Sequence, residues 1–367
     1  MRIIFTGGGT LGSVTPQLVI YEELKARYAL QGTSVDALWI GTGTGPEKDI
    51  VSIYHIPFVS IVAGKLRRYF SVRNFFDPFL TFAGIVQALW HIWRFRPDII
   101  VHAAGYVGVP VLAAGYALGK KSITLQIDFQ PSLSNLIGAR FSSAVGIVTE
   151  KQKKYFPSQK THIVGVPTRV PSSGEHYEEL VRTQRGLRQR LGIKDGESVI
   201  MITGGGTGAR SLNELVEQSI SLLCECAHVI HVTGKGKEGK SEELARRHTT
   251  YHPFEFPRGE MIALEALSDV VVTRAGMGTL SELSALGKPI IIIPISKSHQ
   301  EKNAEYFFSH HAALVLRQDI LTPETFSKAV CGLLKDKKAR EELSKSIRTV
   351  LPDNAAKRAV DMIQSVL

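Results

Sequence analysis

Thr6-Gly7-Gly8-Gly9-Thr10-Leu11-Gly12-Ser13 is a glycine-rich turn that joins an apolar strand pattern to a helix pattern. Two further turns have the same setting, from Thr203 to Arg210 (TGGGTGAR) and from Arg274 to Glu282 (RAGMGTLSE). Such turns bring backbone N–H groups and a helix N-terminus close to an anion, because no side chain intervenes. The first two turns each open one half of the chain. The sequence therefore predicts two nucleotide-fold domains that face one cleft.

Around these turns, short apolar strands alternate with helix patterns, which is typical of a parallel, doubly wound α/β sheet. The predicted strands are 2–6, 37–40, 58–61, 99–102, 122–126, 144–148 and 161–164 in the first half, and 198–203, 228–233, 252–255, 270–273 and 289–294 in the second. We expect a helix over 16–28, with Pro16 in its first turn, and a long helix over 78–95. The domain boundary falls near 165–169, because the last strand of the first sheet ends there. All three turns follow strands, at the edge where parallel sheets bind ligands.

The composition describes a globular chain with an anionic partner. The 367 residues carry a net charge of +10, and 44% of them are hydrophobic, enough for two domains with cores. Such a charge favours nucleic acid, an acidic membrane or a phosphorylated substrate as the partner. Cys224, Cys226 and Cys331 lack zinc-ligand spacing, so we expect a reducing compartment without disulfides. Neither a signal peptide nor an uninterrupted apolar run of about 18 residues is recognisable, and we expect a cytoplasmic protein without a transmembrane helix.

The positive charge is concentrated in one basic and aromatic segment. Its members are Lys65, Arg67, Arg68, Phe70, Arg73, Phe75 and Phe76. Basic side chains among aromatic ones are typical of a surface that meets anionic lipid headgroups, and Phe79 and Trp90 continue it. We expect about half of these aromatic side chains to face the core instead, through helix 78–95. RNA binding by the same segment is the alternative, but no nucleic-acid motif accompanies it.

The glycine turns are not those of dinucleotide-binding or P-loop proteins. The first turn lacks G-x-G-x-x-G, no acidic residue ends the second strand to hold a ribose, and no G-x-x-x-x-G-K-[ST] occurs. In the third turn, the carboxylate of Glu282 is placed to accept hydrogen bonds from two ribose hydroxyls, with helix capping as the alternative role. After the next strand, His299 and Gln300 are placed to reach sugar hydroxyls, and Asn303 to brace the loop. These residues predict a site for a nucleotide and a sugar.

Several motifs, in order and at matching separations, resemble those of the MurG family, UDP-GlcNAc transferases that convert lipid I to lipid II in peptidoglycan synthesis. They are the first glycine turn with Pro16, the block from Arg96-Pro97-Asp98 to Gly105-Tyr106-Val107, Gly165-Val166-Pro167-Thr168-Arg169, Gly204 to Asn213, Arg274 to Glu282, and His299-Gln300 to Asn303-Ala304. The resemblance covers nearly the whole chain. It implies the GT-B fold, in which two Rossmann-like, doubly wound parallel-sheet domains flank a deep cleft. The implied domains are 1–165, joined by the last helix at about 352–367, and 166–351.

The resemblance also implies site residues in each domain. The donor UDP-sugar would contact Arg169, Gly205, Gly206, Thr207, Gly208, Met261, Met277, Gly278, Thr279, Glu282, His299 and Gln300. The lipid-linked pyrophosphate acceptor would contact Gly9, Thr10, Gly12, Ser13 and Tyr106. The first domain is thus expected to bind the acceptor and the membrane, and the second the donor.

Departures from the family pattern leave the catalytic base open. Ser13 stands where the family has histidine, Leu11 replaces a glycine, and Leu125-Gln126-Ile127-Asp128 replaces H-E-Q-N. A serine hydroxyl does not act as a general base near neutral pH. Asp128 and His102, each at the end of a strand, are the candidates for the base. For His102, a histidine of the core is the alternative.

The activity that the resemblance implies is inverting transfer of GlcNAc from UDP-GlcNAc to the C4 hydroxyl of undecaprenyl-pyrophosphoryl-MurNAc-pentapeptide. The expected enzyme is peripheral on the cytoplasmic face of the cell membrane, with UDP-GlcNAc, the lipid-linked acceptor and an anionic membrane surface as partners, and no nucleic acid. The sequence has no D-x-D metal clamp, so neither a metal nor a cofactor is expected. Two alternatives stay open: a related GT-B enzyme with another lipid or small-molecule acceptor, and a nucleotide-sugar-binding relative without catalysis, which Ser13 and Gln126 favour.

Overall fold

The computed structural model describes residues 1–9, 11–45, 47–65, 73–171, 174–206, 208–257 and 259–367, without the side chains of residues 11, 73 and 74. The chain divides into two compact units. The first comprises Met1–Thr168 together with Pro352–Leu367, and the second comprises Arg169–Leu351.

The first unit contains a seven-stranded parallel sheet. Its elements before residue 169 are β1 (Arg2–Thr6), α1 (Leu11–Ala29), β2 (Asp36–Gly41), α2 (Glu47–Ile53), β3 (Phe58–Ser60), α3 (Arg73–Phe95), β4 (Ile99–His102), α4 (Gly108–Ala117), β5 (Lys121–Gln126), α5 (Leu133–Phe141), β6 (Ala144–Ile147) and β7 (Thr161–Ile163), with 3-10 turns at Glu150–Tyr155 and Ser158–Lys160. The strand order is β3-β2-β1-β4-β5-β6-β7. This order changes direction between β1 and β4, and the first glycine turn follows β1, so the turn lies where such sheets bind ligands.

The second unit repeats this plan with six strands. Its elements are α6 (Glu175–Arg190), β8 (Val199–Thr203), α7 (Arg210–Cys224), β9 (His228–Val232), α8 (Ser241–Arg247), β10 (Tyr251–Phe254), α9 (Met261–Leu267), β11 (Val270–Thr273), α10 (Met277–Leu286), β12 (Ile290–Ile292), α11 (Gln300–Ser309), β13 (Leu314–Val315), a 3-10 turn at Gln318–Ile320, α12 (Pro323–Lys335) and α13 (Lys337–Val350). The strand order is β10-β9-β8-β11-β12-β13. The change of direction lies between β8 and β11, and the second and third glycine turns follow these two strands.

The last helix, α14 (Ala355–Val366), belongs to the first unit. It packs on α1, where Arg27 Nη1 lies 2.6 Å from Asp361 Oδ1. The central strands β1 and β4 are buried on both faces, as parallel sheets covered by helices are. The prediction of two parallel, doubly wound sheets is confirmed.

Two predicted helix starts are wrong, and both involve proline. α1 begins at Leu11, so Pro16 is its sixth residue and lies in the second turn. α3 begins at Arg73, so Pro78 is likewise the sixth residue of its helix. A proline there deletes one intrahelical hydrogen bond but does not prevent the preceding turn from forming, and it therefore does not mark the first helical residue.

The expectation of a chain without disulfides is also wrong. Cys226 and Cys331 form a disulfide, with their Cα atoms 6.1 Å apart and a separation of 105 positions in sequence. Cys226 follows α7, and Cys331 lies on α12, which packs against α7. Spacing in the sequence does not reveal such a pair, because the packing of the two helices brings the cysteines together.

By length and composition alone, one helical segment of the described chain, Phe75–Phe95, could cross a membrane. The sequence predicts no transmembrane helix, and this segment departs from that expectation in length and composition. The segment contains only two charged residues, Asp77 and Arg94. Of an 18-residue stretch within it, 22% is buried. It forms most of α3, which packs on α4 within the first unit. The measure is therefore weak evidence for a membrane span.

Candidate active site

The carboxyl edge of the second sheet carries the loops that the sequence singles out. β11 lies between β8 and β12, so the second turn, the third turn and the loop before α11 follow neighbouring strands. The third turn enters α10, with Gly276 at the N-cap. A Cβ atom built on Gly276 or Gly278 would meet no heavy atom within 4 Å. The N-terminus of α10 therefore borders open space that an anionic ligand can enter.

The second glycine turn is fixed by a close backbone contact. Gly208 has a φ of +65°, and a Cβ atom there would overlap the carbonyl oxygen of Thr233, so only glycine fits. A Cβ atom on Gly205 would lie 3.9 Å from Oγ1 of Thr279 in the third turn. The second and third turns therefore lie side by side.

Arg169 and Glu282, both predicted donor residues, form an ion pair. Nη2 and Nε of Arg169 donate to Oε1 of Glu282 at 3.0 and 3.3 Å. Glu282 is 6% exposed, and this burial raises the pKa of its carboxyl above the ordinary value of 4.5, although Arg169 opposes the rise. The arginine thus favours the charged carboxylate, which accepts hydrogen bonds from hydroxyl groups. Glu282 lies in the second turn of α10, where it is not a cap.

A second carboxyl group interacts with this pair, and sequence analysis does not find it. Glu265 on α9 is fully buried, and neither of its carboxyl oxygens has a hydrogen-bond partner among the described residues. Burial, and then the nearby Glu282, raise the pKa of Glu265 well above its ordinary value of 4.5. The environment therefore favours the protonated form of Glu265. Its only signal in the sequence is one acidic residue within the apolar run Met261–Leu267.

Two amide side chains brace the loops beside the third turn. Oε1 of Gln300 accepts hydrogen bonds from the backbone N–H groups of Ala275 at 3.3 Å and Ile295 at 3.2 Å. Nδ2 of Asn303 donates to the carbonyl of Ala275 at 2.9 Å, which confirms the predicted bracing role. Gln300, predicted to meet the sugar, thus also joins the loops after β11 and β12.

Arg274 adds a buried cation to this edge. It is 3% exposed and donates to the carbonyl of Ile293 and to Oγ of Ser211, at 2.9 Å each. Burial lowers the pKa of Arg274, yet a guanidinium keeps its charge at neutral pH. The residues that line the adjoining cleft of about 400 Å³ are Gly208, Ala209, Ser211, Arg274, Ile295, Ser296, Gln318 and Asp319. The cleft therefore combines a cation with the N-terminus of α7.

The other predicted donor residues lie along the same edge with different exposure. Met277 is buried, Gly205, Gly208, Met261, Gly278 and Thr279 are half-buried, and Gly206 and His299 are exposed. Thr207 lies outside the described residues. The described residues of this set follow β8, β10, β11 and β12.

In the first unit, the predicted acceptor residues follow β1 and β4, which pair in the sheet. Gly105 has a φ of +94°, and a Cβ atom there would lie 2.7 Å from the backbone nitrogen of Gly8. The first turn therefore lies directly against the loop after β4. Nζ of Lys65, a predicted membrane residue, lies 6.0 Å from the ring centroid of Tyr106. Among the other acceptor predictions, Gly9 and Gly12 are exposed, Ser13 is buried and Thr10 lies outside the described residues.

Of the three residues considered for catalysis, His102, Ser13 and Asp128, the first two are buried. His102 is fully buried with Nδ1 3.3 Å from the carbonyl oxygen of Thr6, and burial lowers its pKa to about 4. Ser13 on α1 is 4% exposed. A histidine without exposed surface cannot reach a substrate hydroxyl, so the structure argues against His102 as base and favours a core role.

Asp128, the third of these residues, lies on a loop held by buried amides. Its carbonyl accepts hydrogen bonds from Nε2 of Gln152, at 2.8 Å, and from Nε2 of Gln126. Nδ2 of Asn135 donates to Oε1 of Gln126 at 2.7 Å, and Oδ1 of Asn135 accepts from the N–H of Ala104 at 3.1 Å. Gln126 therefore supports the Asp128 loop and links it to the loop after β4.

Glu47, which sequence analysis does not identify, is fully buried beside the first turn. Its carboxyl accepts hydrogen bonds from the N–H and hydroxyl of Thr42 and from the N–H of Gly9. In the sequence, Glu47 has the pattern of an ordinary acidic residue in the first turn of a helix. Only the fold shows that it points into the protein.

Many of the large apolar side chains of α3 are exposed. Their exposed fractions are 72% for Phe75, 58% for Phe76, 68% for Phe79 and 54% for Trp90, and Leu80, Phe82, Val86 and Trp93 are exposed as well. The expectation that half of the aromatic side chains face the core is therefore wrong for these four, because α3 buries its opposite face, with Ala88 and Ile92. Arg67, Arg68, Phe70 and the side chain of Arg73 lie outside the description. An exposed apolar surface of this extent marks an interaction site.

Among the described residues, no group of three or more histidine, cysteine, aspartate or glutamate side chains is arranged to hold a metal ion. The polar groups at the two sheet edges are instead carboxyls, guanidinium groups, amides and backbone N–H groups.

Two doubly wound parallel sheets, with glycine turns where the strand order of each changes direction, form the GT-B fold that solved glycosyltransferases such as CalG4 have. The chain matches the N-terminal domain of glycosyltransferase family 28 over residues 3–147 and the C-terminal domain of that family over residues 199–364. The chain belongs to this family, and within it to the MurG group, as its relatives show.

One relative is UDP-N-acetylglucosamine–N-acetylmuramyl-(pentapeptide) pyrophosphoryl-undecaprenol N-acetylglucosamine transferase 2 of Bacillus cereus, with 35% identity over 335 residues and 90% of each chain. The relative from Legionella pneumophila, whose name is the same but without the final 2, is 31% identical over 369 residues, which cover 99% of this chain and 96% of the relative. The crystal structure of Acinetobacter baumannii MurG matches with a TM-score of 0.73 and 22% identity, over 99% of both chains. This last likeness concerns the fold.

Proposed function

We propose that the protein transfers GlcNAc from UDP-GlcNAc to the C4 hydroxyl of undecaprenyl-pyrophosphoryl-MurNAc-pentapeptide, with inversion at the anomeric carbon. The names of the relatives support this donor and this lipid-linked acceptor. The acceptor oxygen forms a bond to the anomeric carbon as the bond from that carbon to the β-phosphate oxygen of UDP breaks. The hydroxyl proton passes to a general base.

The observation that carries the proposal is the ion pair between the exposed Arg169 and the buried Glu282, beside the open N-terminus of α10. Glu282 presents a carboxylate for the two ribose hydroxyls of UDP. The N–H groups at the start of α10 and the guanidinium groups of Arg169 and Arg274 supply positive charge for the diphosphate. These groups stabilise the negative charge that develops on the leaving UDP. The proposed reaction therefore needs neither a metal ion nor another cofactor.

We assign the role of general base to Asp128. It is half-buried, unlike His102, and its backbone is held by two buried glutamine side chains. A fixed backbone supports catalysis, because a base must stay within hydrogen-bond distance of the proton that it removes.

We further propose that the protein is peripheral on the cytoplasmic face of the cell membrane, with the exposed face of α3 in the lipid interface. The first unit carries 19 lysine and arginine residues against 11 aspartate and glutamate residues, whereas the second carries 25 against 23. Positive charge beside exposed aromatic side chains favours an anionic membrane as the partner of this face.

The test is UDP release from UDP-GlcNAc, with and without a soluble-chain analogue of the lipid-linked acceptor. We expect release from the wild type only with acceptor. Replacement of a catalytic base lowers rates by about 10²–10⁴-fold, so Asp128→Asn should reduce kcat to this extent. Asp49→Asn is the matched control, because Asp49 is exposed on α2 and should leave kcat unchanged.

Each other outcome identifies a different alternative. Tight UDP-GlcNAc binding without acceptor-dependent release would contradict the proposed acceptor and favour another acceptor or a relative without catalysis. Full activity of Asp128→Asn would contradict only the assignment of the base.

A further inference from the structure

A buried carboxyl group already occupies one N–H group of the first glycine turn. Oε1 of Glu47 accepts hydrogen bonds from the N–H of Thr42, at 2.8 Å, and from the Thr42 hydroxyl. Oε2 accepts from the N–H of Gly9 at 3.2 Å. Glu47 thus joins the end of β2 to the turn that follows β1.

The glycines around Glu47 make room for its carboxyl group. A Cβ atom on Gly8 would overlap Oε1 of Glu47, and one on Gly45 would overlap Oε2. Neither glycine has a positive φ, so their backbone conformation alone does not demand glycine. Glycine is needed at both positions only if the carboxyl keeps this place, which its hydrogen bonds to Thr42 and Gly9 favour.

We propose that Glu47 is a positioning residue of the acceptor site, which holds the first glycine turn in place through the N–H of Gly9. The inference rests on the proposed function, which assigns this turn to the lipid-linked acceptor. The N–H of Gly9 then anchors the turn from within the protein instead of contacting the acceptor pyrophosphate. The other groups on the exposed face of the turn remain available to bind the acceptor.

Glu47→Gln distinguishes the hydrogen bonds of Glu47 to Thr42 from its hydrogen bond to Gly9. The amide oxygen keeps both Thr42 hydrogen bonds if it takes the place of Oε1. The amide nitrogen then faces the N–H of Gly9, so two donors oppose each other and the link to the turn is lost. The reverse orientation sets the amide nitrogen against the N–H of Thr42, and it is disfavoured because that hydrogen bond, at 2.8 Å, is shorter than the one from Gly9, at 3.2 Å.

The experiment compares steady-state kinetics of the wild type, Glu47→Gln and the control Asp49→Asn, which removes the same charge from an exposed position of α2. We expect the KM for the acceptor analogue to rise about tenfold in Glu47→Gln, with the KM for UDP-GlcNAc unchanged, because a hydrogen bond to a charged group is lost. Equal acceptor KM values in all three proteins would overturn the inference, and so would equal rises in both KM values.

A double-mutant cycle of Gly8→Ala and Glu47→Ala, measured as changes in Tm, tests the contact between Gly8 and Glu47 without any substrate. Gly8→Ala should lower Tm in the wild type, because the new methyl group overlaps Glu47, and should lower it less when Glu47 is alanine. Equal losses in both backgrounds would contradict the placement of Glu47. A wild type without acceptor-dependent turnover would refute the proposed function and the acceptor role of the turn, whatever this cycle shows.

Discussion

At the scale of single residues, the second unit places two carboxyl groups and one guanidinium in a largely buried cluster. Arg169 pairs with Glu282, whereas neither carboxyl oxygen of Glu265 has a hydrogen-bond partner in the part of the chain that the structure describes. An unsatisfied buried polar group costs about 1–3 kcal/mol of stability. Glu265 therefore destabilises the second unit, and its removal offers a direct measurement of that cost.

Replacement of Glu265 by leucine should stabilise the protein by about 1–3 kcal/mol, because a side chain of similar size removes the unsatisfied carboxyl. Chemical denaturation of the wild type and the variant measures the difference in free energy of unfolding. Glu242→Leu, at a side chain that is 88% exposed, is the control and should not stabilise. A less stable Glu265→Leu variant would show that the carboxyl has a partner that stabilises the fold.

The raised pKa of Glu265 also predicts a pH dependence. A group with a raised pKa in the folded state binds more protons folded than unfolded, so its contribution to stability is lost as pH rises above 4.5 towards the folded pKa. The stability of Glu265→Gln relative to the wild type should therefore increase over this range. Denaturation curves at several pH values measure it, and a constant difference would contradict the raised pKa.

The affinity for the donor nucleotide is expected to depend on Glu282. Glu282→Gln should weaken UDP binding about tenfold or more, because charge-assisted hydrogen bonds to the ribose and the pair with Arg169 are lost. Titration calorimetry with UDP gives the Kd of each variant. The matched control is Glu305→Gln, since Glu305 pairs with Lys302 at an exposed position of α11. An unchanged Kd in Glu282→Gln would contradict the ribose role.

At the scale of elements, α3 combines a buried and an exposed apolar face. Ala88 and Ile92 pack in the core of the first unit, and aromatic side chains cover the outer face. A helix of a soluble unit normally has polar residues on its outer face. Within the described part of the first unit this outer face is exposed, which is why we propose that it contacts the membrane.

Phe79→Ser together with Phe82→Ser should weaken binding to anionic lipid vesicles at least about tenfold, since each buried phenylalanine contributes about 1.5–3 kcal/mol. Co-sedimentation with vesicles measures the bound fraction. Leu30→Ser is the matched control, because Leu30 is 90% exposed but lies at the end of α1, outside this face. Equal vesicle binding by all three proteins would exclude α3 as the membrane contact.

At the scale of the whole molecule, the chain completes its first unit only with its last helix. Val360, Met362 and Ile363 of α14 are buried, so the first sheet and its helices depend on residues that follow the entire second unit. Proteins with many contacts between positions so distant in sequence typically fold slowly.

Removal of residues 352–367 should destabilise the first unit by more than about 3 kcal/mol, because several buried apolar side chains are lost. The second unit should keep its own unfolding transition in calorimetry. Asp361→Ala removes only the partly exposed ion pair with Arg27, and its cost should be about 0–1 kcal/mol. Unchanged stability after the truncation would contradict the packing of α14 on the first unit.

The sequence predicts much of the second-unit site because its residues lie in short continuous motifs. Glu282 follows a glycine turn at a fixed spacing, and Asn303 follows the next strand, so local pattern is sufficient for both. Glu47 and Glu265 have no such motif. Each resembles an ordinary acidic residue of a helix, and only the burial of its side chain shows a different role.

By itself, the sequence determined the alternation of strands and helices, the two parallel sheets and the glycine turns at their carboxyl edges. Hydrophobic period and turn composition are local properties, and they suffice for these features. Only the tertiary structure decided that α3 exposes its aromatic side chains, that His102 is buried and that Cys226 meets Cys331. Burial and pairing depend on which distant segments pack against a residue, and no local pattern contains that information.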